Sequence, residues 1–549
     1  MASSPLTGIM TDRPLLIRDI LLHGERTWPE QEIVSVSGSG QRHRTTFQET
    51  FRRTRKLANV LADLAIRPGD RIATLAWNDY RHIEIYYAVA CSGSVCHTIN
   101  PRLPEEQITY IINHAGDSWL FASVDFIPLL EKILPNISGV RGFIILGNDG
   151  ETSTIPLPGA IPYETLINPA SDEYEWPEFP ETTASSLCYT SGTTGHPKGV
   201  LYSHRSTVLH TLMSNIAATI NLNEQDVVMP VVPMFHVNAW GIPYSAVMAG
   251  AKMVLPGPHM ANGQLLQALI EEEQVTVAFG VPTIWLALVH YLESSDKRID
   301  SLNRVYTGGT ACPRHIMDTL LRVYGTDTVH LWGMTELSPL GTLNQAEKRT
   351  DLSYDEKMDL RCKQGRSAFG VEMKLKDNHG NPVAHNGKDP GILFVRGYAI
   401  CSGYLGEGEE SPNTSLHDSD GWLNTGDIAT IDEDGYLQIT DRAKDVIKSG
   451  GEWISSIELE NLAMAHPNVA EAAAIAMPDG TWGERPLLVA VKKDNNSLDE
   501  QRLQEWYQGK LPEWMHPDRV VFINELPHTA TGKVIKSQLR GQLETLLSQ

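Results

Sequence analysis

The sequence predicts an α/β fold, in which short buried strands alternate with longer amphipathic helices. Short apolar runs, which are typical of buried strands, lie at 142–146, 186–190, 276–281 and 304–307. Segments between such runs, for example 264–273 and 315–323, space their apolar residues as helices do. This alternation favours helices layered on partly parallel sheets, because parallel strands need a crossover connection that is usually a helix.

A smaller unit follows, because the pattern changes after about residue 420, and a charged stretch at 440–445 separates apolar segments. Beyond it lie helix-like and strand-like segments at 457–465, 470–476, 487–491 and 499–511. We therefore predict a large N-terminal domain of layered α/β sheets over residues 1–440, a short polar connector at 441–445 and a small α+β C-terminal lid domain at 446–549.

Net charge and cysteine content exclude several classes of protein. The chain of 549 residues has 67 acidic and 45 basic side chains, which gives a formal charge of −22. Such a surface repels nucleic-acid backbones and anionic membranes, so we expect no nucleic-acid partner, although one small anion still fits a local basic pocket. The cysteines are scattered without zinc-ligand spacing, as in a reduced cytosolic protein; they are Cys91, Cys96, Cys188, Cys312, Cys362 and Cys401.

Neither a targeting segment nor a membrane span is predicted. Charges interrupt the first apolar residues, which argues against a signal peptide. The most apolar long stretch, 234–255, contains His236, Asn238, Pro243 and Lys252, which is typical of a protein core. We therefore expect a soluble cytoplasmic protein without an integral membrane segment.

One stretch, YTSGTTGHPKGV at 189–200, has the composition of a phosphate-binding loop. Glycines allow backbone N–H groups to face a ligand, hydroxyls add donors, and a lysine supplies positive charge. The residues of these types are Ser191, Gly192, Thr193, Thr194, Gly195, Lys198 and Gly199. They follow an apolar strand and do not match a Walker A loop, so we predict a polyphosphate cradle of another kind.

Four further motifs follow in order along the chain. They are LWGMTE at 331–336, NTGD at 424–427, DRAKDVIKSGGEWISSIELE at 441–460 and TATGKVIK at 529–536. Together with the loop they resemble the signatures of the adenylate-forming enzymes, which include acyl-CoA synthetases, firefly luciferases and nonribosomal peptide adenylation domains. The resemblance implies the use of ATP, Mg²⁺ and coenzyme A, and it makes the connector the hinge of a mobile lid.

The resemblance also implies a nucleotide site. Trp332 would stack on adenine through its aromatic face, and Asp427 would accept hydrogen bonds from the ribose hydroxyls beside Arg442. Glu336 and Thr190 would hold Mg²⁺, which prefers hard oxygen ligands. The implied ATP- and AMP-binding residues are Thr190, Ser191, Gly192, Thr193, Thr194, Gly195, Lys198, Gly309, Thr310, Trp332, Gly333, Met334, Thr335, Asp427 and Arg442.

Further roles implied by the resemblance lie in the lid. Lys533 would be catalytic, because it would bridge the substrate carboxylate and the α-phosphate and neutralise charge during the displacement. Lys444 would be the hinge residue about which the lid rotates between the two steps. Gly450, Gly451 and Glu452 would form part of the channel wall for CoA.

The acyl pocket is implied by two other stretches, MFHVNAW and YTGGTACP. His236 would lie beside the substrate carboxylate as a catalytic residue, and Trp240 would line or gate the acyl tunnel. For both side chains a plain role in the core stays open. Gly308 and Gly333 would border the acyl group. Cys312 is not expected to be a nucleophile, since an acyl adenylate needs none.

The implied function is an acid–CoA ligase of fatty acid metabolism. ATP and a fatty or other small carboxylic acid would give an acyl adenylate and pyrophosphate, and the CoA thiol would then displace AMP. The variants of the motifs look most like those of bacterial medium- and long-chain fatty acyl-CoA synthetases and of methylmercaptopropionate–CoA ligases. The thioether acid 3-methylmercaptopropionate is therefore an alternative substrate, and aryl acids come next.

Two other functions stay open. One is a stand-alone adenylation enzyme that loads a carrier protein, and the other is a non-catalytic nucleotide-binding scaffold. Lys198, Glu336, Asp427 and Lys533 argue against the scaffold, because a protein without catalysis does not need them. Relatives of this kind are often homodimers, so the resemblance also implies a homodimer.

Overall fold

Four β-sheets and the helices that connect and cover them form the protein in a computed structural model. The structure describes residues 8–148, 150–152, 155–190, 196–406, 414–450, 452–493, 497–528 and 534–547. Within these ranges the sheets have nine, seven, five and four strands. The predicted α/β class, with a large N-terminal and a smaller C-terminal domain, is confirmed.

The two largest sheets contain the strands that precede residue 368. Their bounds are β1 (Glu32–Val36), β2 (Arg42–Thr46), β3 (Arg71–Leu75), β4 (Val95–Thr98), β5 (Asp117–Ser123), β6 (Phe143–Leu146), β7 (Ala160–Pro162), β8 (Ala184–Tyr189), β9 (Gly199–Ser203), β10 (Val227–Pro230), β11 (Lys252–Leu255), β12 (Val277–Gly280), β13 (Arg304–Thr307), β14 (Asp327–Gly333), β15 (Leu340–Leu343) and β16 (Arg366–Ser367). The strand orders are β16-β15-β14-β13-β12-β10-β11-β1-β2 and β7-β6-β5-β3-β4-β8-β9. Central pairs such as β12/β13 and β3/β4 are parallel, and antiparallel pairs such as β1/β2 and β8/β9 lie at the ends.

Helices connect these strands. Their bounds are α1 (Ile17–Thr27), α2 (Phe47–Asp63), α3 (Tyr80–Cys91), α4 (Glu105–Ala115), α5 (Ile127–Ile133), α6 (Tyr163–Ile167), α7 (His204–Ser214), α8 (Val237–Trp240), α9 (Ile242–Ala249), α10 (Gly263–Glu273), α11 (Pro282–Glu293), α12 (Arg314–Tyr324) and α13 (Tyr354–Cys362). The helices predicted from apolar spacing correspond to α10 and α12, and the four predicted strands correspond to β6, β8, β12 and β13. On α12 the buried residues are Ile316, Met317 and Leu320, which share one face at helical spacing.

Two smaller sheets complete the fold. The antiparallel sheet contains β17 (Val371–Lys376), β18 (Gly391–Gly397), β19 (Leu423–Ile431) and β20 (Leu437–Arg442). The C-terminal domain contains β21 (Ile447–Ser449), β22 (Glu452–Ile454), α14 (Ser456–Met464), β23 (Val469–Asp479), β24 (Gly483–Lys492), α15 (Glu500–Trp506), β25 (Arg519–Phe522), α16 (Lys536–Gly541) and α17 (Leu543–Leu547). The predicted helix 499–511 is too long, since α15 ends at Trp506 and the chain turns at Gly509, whose φ is +72°.

The structure describes all six cysteines and the whole of the apolar stretch. All six cysteines are free thiols. The 234–255 stretch folds into α8, α9 and β11. In the part of the chain that the structure describes, no helix combines the length and the apolar character needed to cross a membrane.

A buried amide ties the chain after β10 to the neighbouring sheet. Asn78 follows β3, and its side chain is fully buried at 0% exposure. Its Nδ2 donates to the carbonyl oxygens of Pro230 and Val232, each at 2.9 Å, and its Oδ1 accepts from the backbone N–H of Met234 at 2.7 Å. These three bonds fix the direction in which the chain leaves the nine-stranded sheet.

Replacing Asn78 by alanine should lower the free energy of unfolding by about 3 kcal/mol, because three buried backbone groups lose their partners. Urea unfolding measures this loss. The matched control is Asn113→Ala, which removes an exposed amide that donates to the carbonyl of Asn136. The control should change stability by less than about 0.5 kcal/mol, and equal losses in the two variants would contradict the bridging role.

Candidate active site

Strands β14 and β19 bring two of the predicted nucleotide-binding side chains into contact. Trp332 Nε1 donates to Asp427 Oδ2 at 2.8 Å, and Arg442 Nε lies 2.7 Å from Asp427 Oδ1. Asp427 is 1% exposed, and Trp332 packs in the core beneath it. Each carboxylate oxygen has two lone pairs, so these contacts still leave acceptor capacity for hydroxyl groups. The contact between the two motifs is therefore observed, whereas stacking on adenine stays a prediction.

Glu336 lies in a short 3₁₀ turn, Thr335–Leu337, directly after β14. Its side chain is buried, and Tyr404 Oη donates to its Oε1 at 2.8 Å. Burial raises the pKa of Glu336 above its ordinary value, while the hydrogen bond from Tyr404 and the charge of Arg442 oppose that rise. The neighbouring Thr335 is also buried, and its carbonyl oxygen accepts from Tyr202 Oη at 2.6 Å.

The root of the predicted phosphate loop lies against the same tyrosine. Lys198 Nζ is 4.9 Å from the centre of the Tyr404 ring, which is a cation–π distance. Thr190 and Lys198 close the base of the loop, since Thr190 N–H donates to the Lys198 carbonyl at 2.9 Å and Thr190 Oγ1 accepts from Lys198 N–H at 3.2 Å. The predicted residues Ser191, Gly192, Thr193, Thr194 and Gly195 lie outside the described residues.

The predicted metal ligands, Glu336 and Thr190, suit Mg²⁺ better than a metal ion that is bound by protein side chains alone. Among the described residues, no group of three or more His, Cys, Asp or Glu side chains could hold a metal ion. Mg²⁺ is commonly bound through one or two carboxylates, with phosphate oxygens and waters completing its shell. The buried Glu336 carboxylate and the Thr190 hydroxyl are hard oxygen donors of this kind.

Glycine is required by packing at two of the predicted pocket positions. A Cβ atom on Gly333 would lie 2.1 Å from the carbonyl oxygen of Pro339, and one on Gly308 would lie 2.5 Å from Leu331 Cδ1. The backbone N–H of Met334 donates to the same Pro339 oxygen at 3.1 Å. The ends of β13 and β14 therefore approach neighbouring chain too closely for any side chain.

The loop after β13 supplies backbone and one polar side chain. Gly309 has a φ of +85°, and Thr310 beside it is exposed. Cys312 is buried, and burial raises the pKa of its thiol to about 12. A thiol with this pKa is protonated near neutral pH, which agrees with the expectation that Cys312 is not a nucleophile.

A left-handed turn, labelled α8 above, follows one of the predicted acyl-pocket residues and contains another. Its residues are Val237, Asn238, Ala239 and Trp240, with φ values of +47°, +51°, +49° and +57°. Left-handed backbone costs L-residues roughly 1–2 kcal/mol each, so such a run persists only where its surroundings hold it. His236 before the turn and Trp240 at its end are half-buried, and Trp240 packs against the main core.

His210 on α7 touches the end of this turn. Its Nε2 accepts from the backbone N–H of Leu340 at 3.2 Å, and a Cβ atom on Gly241 would lie 3.0 Å from its ring. Burial lowers the pKa of His210 to about 4, so the ring is neutral and carries its proton on Nδ1. Sequence reasoning missed both His210 and Tyr404, because neither belongs to a motif with a distinctive local pattern.

Contacts between β20 and the C-terminal domain lie at the connector. Asp441 accepts from the Ser456 backbone N–H at 2.6 Å and from Ser456 Oγ at 2.9 Å. Lys536 Nζ donates to the same Oγ at 2.6 Å and lies 2.5 Å from Glu460 Oε1. Lys533, the predicted catalytic lysine, lies outside the described residues.

The predicted hinge and CoA residues lie at the surface in the part that is described. Lys444 and Glu452 are exposed, and Gly451 lies outside the described residues. Gly450 has a φ of +61°, and its N–H donates to the Trp482 carbonyl at 2.8 Å. A Cβ atom on Gly450 would lie 2.7 Å from the Trp482 ring, so only glycine allows this approach.

Two protein families match the chain. The family described as AMP-binding enzyme matches residues 23–405, and the family described as AMP-binding enzyme C-terminal domain matches residues 458–533.

Relatives align over nearly the whole chain. The 3-methylmercaptopropionyl-CoA ligase of Ruegeria lacuscaerulensis is 49% identical over 99% of this chain and 100% of that protein. The medium-chain-fatty-acid–CoA ligase of Ectopseudomonas oleovorans is 46% identical over 99% of this chain and 98% of that protein. The long-chain-fatty-acid–CoA ligase of Thermus thermophilus is 42% identical over 97% and 96%.

Solved structures share the fold. An anthranilate CoA ligase in complex with anthranoyl-AMP gives a TM-score of 0.85 at 24% identity, covering 98% of this chain and 100% of that one. The o-succinylbenzoate CoA synthetase of Bacillus subtilis, in complex with its acyl-adenylate intermediate, gives 0.78 at 25% identity, covering 97% and 99%.

Gly333→Ala should lower the free energy of unfolding by about 1–3 kcal/mol, because the new methyl group overlaps the Pro339 carbonyl oxygen. Thermal unfolding measures the change. Gly480→Ala is the matched control, since a Cβ atom there meets nothing within 4 Å. If Gly333→Ala is as stable as this control, the backbone is not held as closely as described.

Proposed function

Since the chain belongs to the family of AMP-binding enzymes, we propose that it joins an unbranched aliphatic acid to coenzyme A through an acyl adenylate. The protein is an acyl-CoA ligase, and it uses ATP and CoA. In the first step the acid carboxylate attacks the α-phosphate of ATP and pyrophosphate leaves. In the second step the CoA thiol attacks the acyl carbon and AMP leaves.

The observation that carries the proposal is the meeting of three separate motifs through side chains. Glu336 after β14 contacts Tyr404, and Tyr404 contacts Lys198 at the root of the loop. On the same strand, Trp332 contacts Asp427. A buried carboxylate that is linked through a tyrosine to a lysine suits a polyphosphate nucleotide, because the lysine meets the phosphates while the carboxylate meets a cation.

The acid we propose is a medium-chain fatty acid or 3-methylmercaptopropionate. Two relatives support these two acids by their names, at 46% and 49% identity. A thioether sulfur is apolar and flexible and replaces a methylene group at little cost, so one narrow apolar tunnel accepts both chains. We assign Trp240 to the wall of that tunnel.

We propose the nucleotide roles on the resemblance, and the contacts of Trp332 with Asp427 and of Lys198 with Tyr404 support them. Lys198 and Thr190 bind phosphate, and Asp427 accepts from the ribose hydroxyls while Trp332 faces the adenine. Glu336 and Thr190 hold magnesium, which supplies positive charge to the phosphates when bound. Gly308, Gly309, Thr310, Gly333, Met334 and Thr335 border this nucleotide and the acyl group.

The remaining roles, most of them in the lid, rest on the resemblance. Lys533 bridges the carboxylate and the α-phosphate, and His236 lies beside that carboxylate. Lys444 is the hinge residue between domains 1–440 and 446–549, and Gly450, Gly451 and Glu452 line the CoA channel. A cytoplasmic location and a homodimer belong to the same proposal.

Pyrophosphate release from ATP and Mg²⁺ with CoA tests the proposal across a panel of acids. Pentanoate and 3-methylmercaptopropionate form a matched pair, since they differ by one sulfur in place of a methylene group, and activity with both is expected. Propionate, octanoate, palmitate, benzoate and cinnamate complete the panel. A preference for unbranched aliphatic acids is expected, and a preference for the aryl acids would contradict the substrate class.

Lys533→Ala should reduce adenylate formation by about 10²–10³-fold, because the charge that develops on the α-phosphate during the displacement loses its partner. Thiol transfer to a preformed adenylate should be spared. Lys132→Ala, which removes an exposed lysine on the N-terminal domain, is the control and should leave both half-reactions unchanged. Equal loss of both half-reactions, or full adenylation activity of Lys533→Ala, would contradict the bridging role.

Tyr404→Phe should move the acid limb of the pH–rate profile to higher pH. The hydroxyl of Tyr404 lowers the pKa of Glu336, so its removal lets burial raise that pKa further. A protonated Glu336 cannot hold a cation, and activity is therefore lost as pH falls through the raised pKa. Rates near pH 8 should change little. Tyr354→Phe removes a similar donor to Asp318 at the surface and should leave the profile in place.

Trp240→Ala should change the preferred acid length by about tenfold in relative kcat/KM while the KM for ATP changes little. The measurement is kcat/KM for octanoate against pentanoate, with ATP varied separately. Trp285→Phe, at a fully buried core position, is the comparison and should affect stability but not acid preference. Equal effects of Trp240→Ala on the acid and on ATP would make Trp240 a core side chain.

A further inference from the structure

The left-handed turn carries its own anchor to the neighbouring sheet. Asn238 is the second residue of the turn and is 6% exposed. Its Nδ2 donates to Ser186 Oγ at 3.1 Å, and its Oδ1 accepts from Thr98 Oγ1 and from Cys188 Sγ, each at 3.4 Å. One amide therefore contacts three side chains.

These three partners belong to two adjacent strands. Thr98 ends β4, whereas Ser186 and Cys188 lie on β8, and the two strands pair in parallel with Thr98 opposite Cys188. The turn itself belongs to the connection after β10, in the other large sheet. The Asn238 side chain thus crosses from one sheet to the next, and β8 leads directly to the phosphate loop at Thr190.

Asparagine suits both the left-handed backbone at position 238 and the hydrogen bonds to β4 and β8. Asparagine adopts left-handed backbone more readily than most residues, and its amide offers a donor and an acceptor at once. Leaving the amide nitrogen or oxygen without a hydrogen bond in this buried place would cost free energy. The contacts therefore favour one position of the turn relative to β4 and β8. The turn ends at Trp240, two residues beyond the anchor, and the N–H of Gly241 donates to the Asn238 carbonyl at 3.0 Å.

We propose that Asn238 is a positioning residue for acid selectivity, which holds the left-handed turn so that Trp240 keeps its place beside the acyl group. This inference rests on the proposed function, in which Trp240 lines the acyl tunnel. Asn238 acts through Trp240 and does not itself touch the acid. Loss of the anchor frees the turn and lets the tunnel accept acids that the intact turn rejects.

The test separates the effect of the Asn238 side-chain hydrogen bonds from the effect of the left-handed backbone. Asn238→Gly keeps the left-handed conformation accessible and removes every side-chain bond. Ser186→Ala removes only the acceptor of the Asn238 Nδ2 and is the milder variant if Asn238→Gly folds poorly. Both are compared with wild type for kcat/KM over the acid panel, for the KM of ATP and for thermal stability.

The expected result for Asn238→Gly is a flattening of the ratio between preferred and rejected acids by about tenfold, with the KM of ATP within about twofold. Ser186→Ala should shift the ratio in the same direction by less. Asn344→Ala removes another buried amide, which donates to the carbonyls of Leu360 and Lys363, and should reduce stability without changing the ratio.

Failure takes distinguishable forms. An unchanged acid ratio in Asn238→Gly and Ser186→Ala, with wild-type activity intact and Trp240→Ala shifted, overturns the positioning role alone. A wild-type protein that releases no pyrophosphate with any acid overturns the proposed function and this inference together. Equal changes in the ATP and acid constants assign Asn238 a general structural role and also overturn the inference.

Discussion

The contact between the buried Glu336 carboxylate and the Tyr404 hydroxyl is the interaction on which the proposed site depends. Burial raises the pKa of Glu336, and the hydroxyl of Tyr404, 2.8 Å away, together with the charge of Arg442, opposes that rise. Tyr404 also lies against Lys198, so one tyrosine contacts both Glu336 and the lysine of the predicted phosphate loop. Because Glu336 follows β14 and Asp427 lies on β19, a small shift of either strand would change the shape of the site.

Hydrogen bonds of buried asparagine side chains hold the segment that contains the predicted acyl-pocket residues. Buried amides join the connection after β10 to the neighbouring sheet, first through Asn78 and then through Asn238. Residues 237–240 adopt a left-handed conformation that valine and alanine resist, and Asn238 within this run bonds to the sheet that leads into the phosphate loop. Under the proposed roles, the same strand, β8, helps to position the acid and the nucleotide, which gives a physical route for coupling the two substrates.

Much of this arrangement could be predicted from the sequence, for reasons that differ between parts. Strands such as β12 and helices such as α10 follow from apolar spacing, because burial decides their faces. The resemblance assigns Trp332 and Asp427 to one nucleotide site, but it does not predict the hydrogen bond between their side chains. Tyr404, His210 and the left-handed turn were missed, since contacts from distant segments and a backbone conformation opposed by local preference leave no local pattern. The helix at 499–511 was predicted too long because Gly509 was not weighed as a terminator.

The measurement that tests the central claim most directly is the exchange of labelled pyrophosphate into ATP, with the acid present and CoA absent. A reversible adenylate predicts exchange that requires the acid, magnesium and Glu336, that needs no thiol, and that falls in Tyr404→Phe as the pH is lowered. Exchange without the acid, or acid-dependent formation of ADP and phosphate with no exchange, would contradict an adenylate formed at this site.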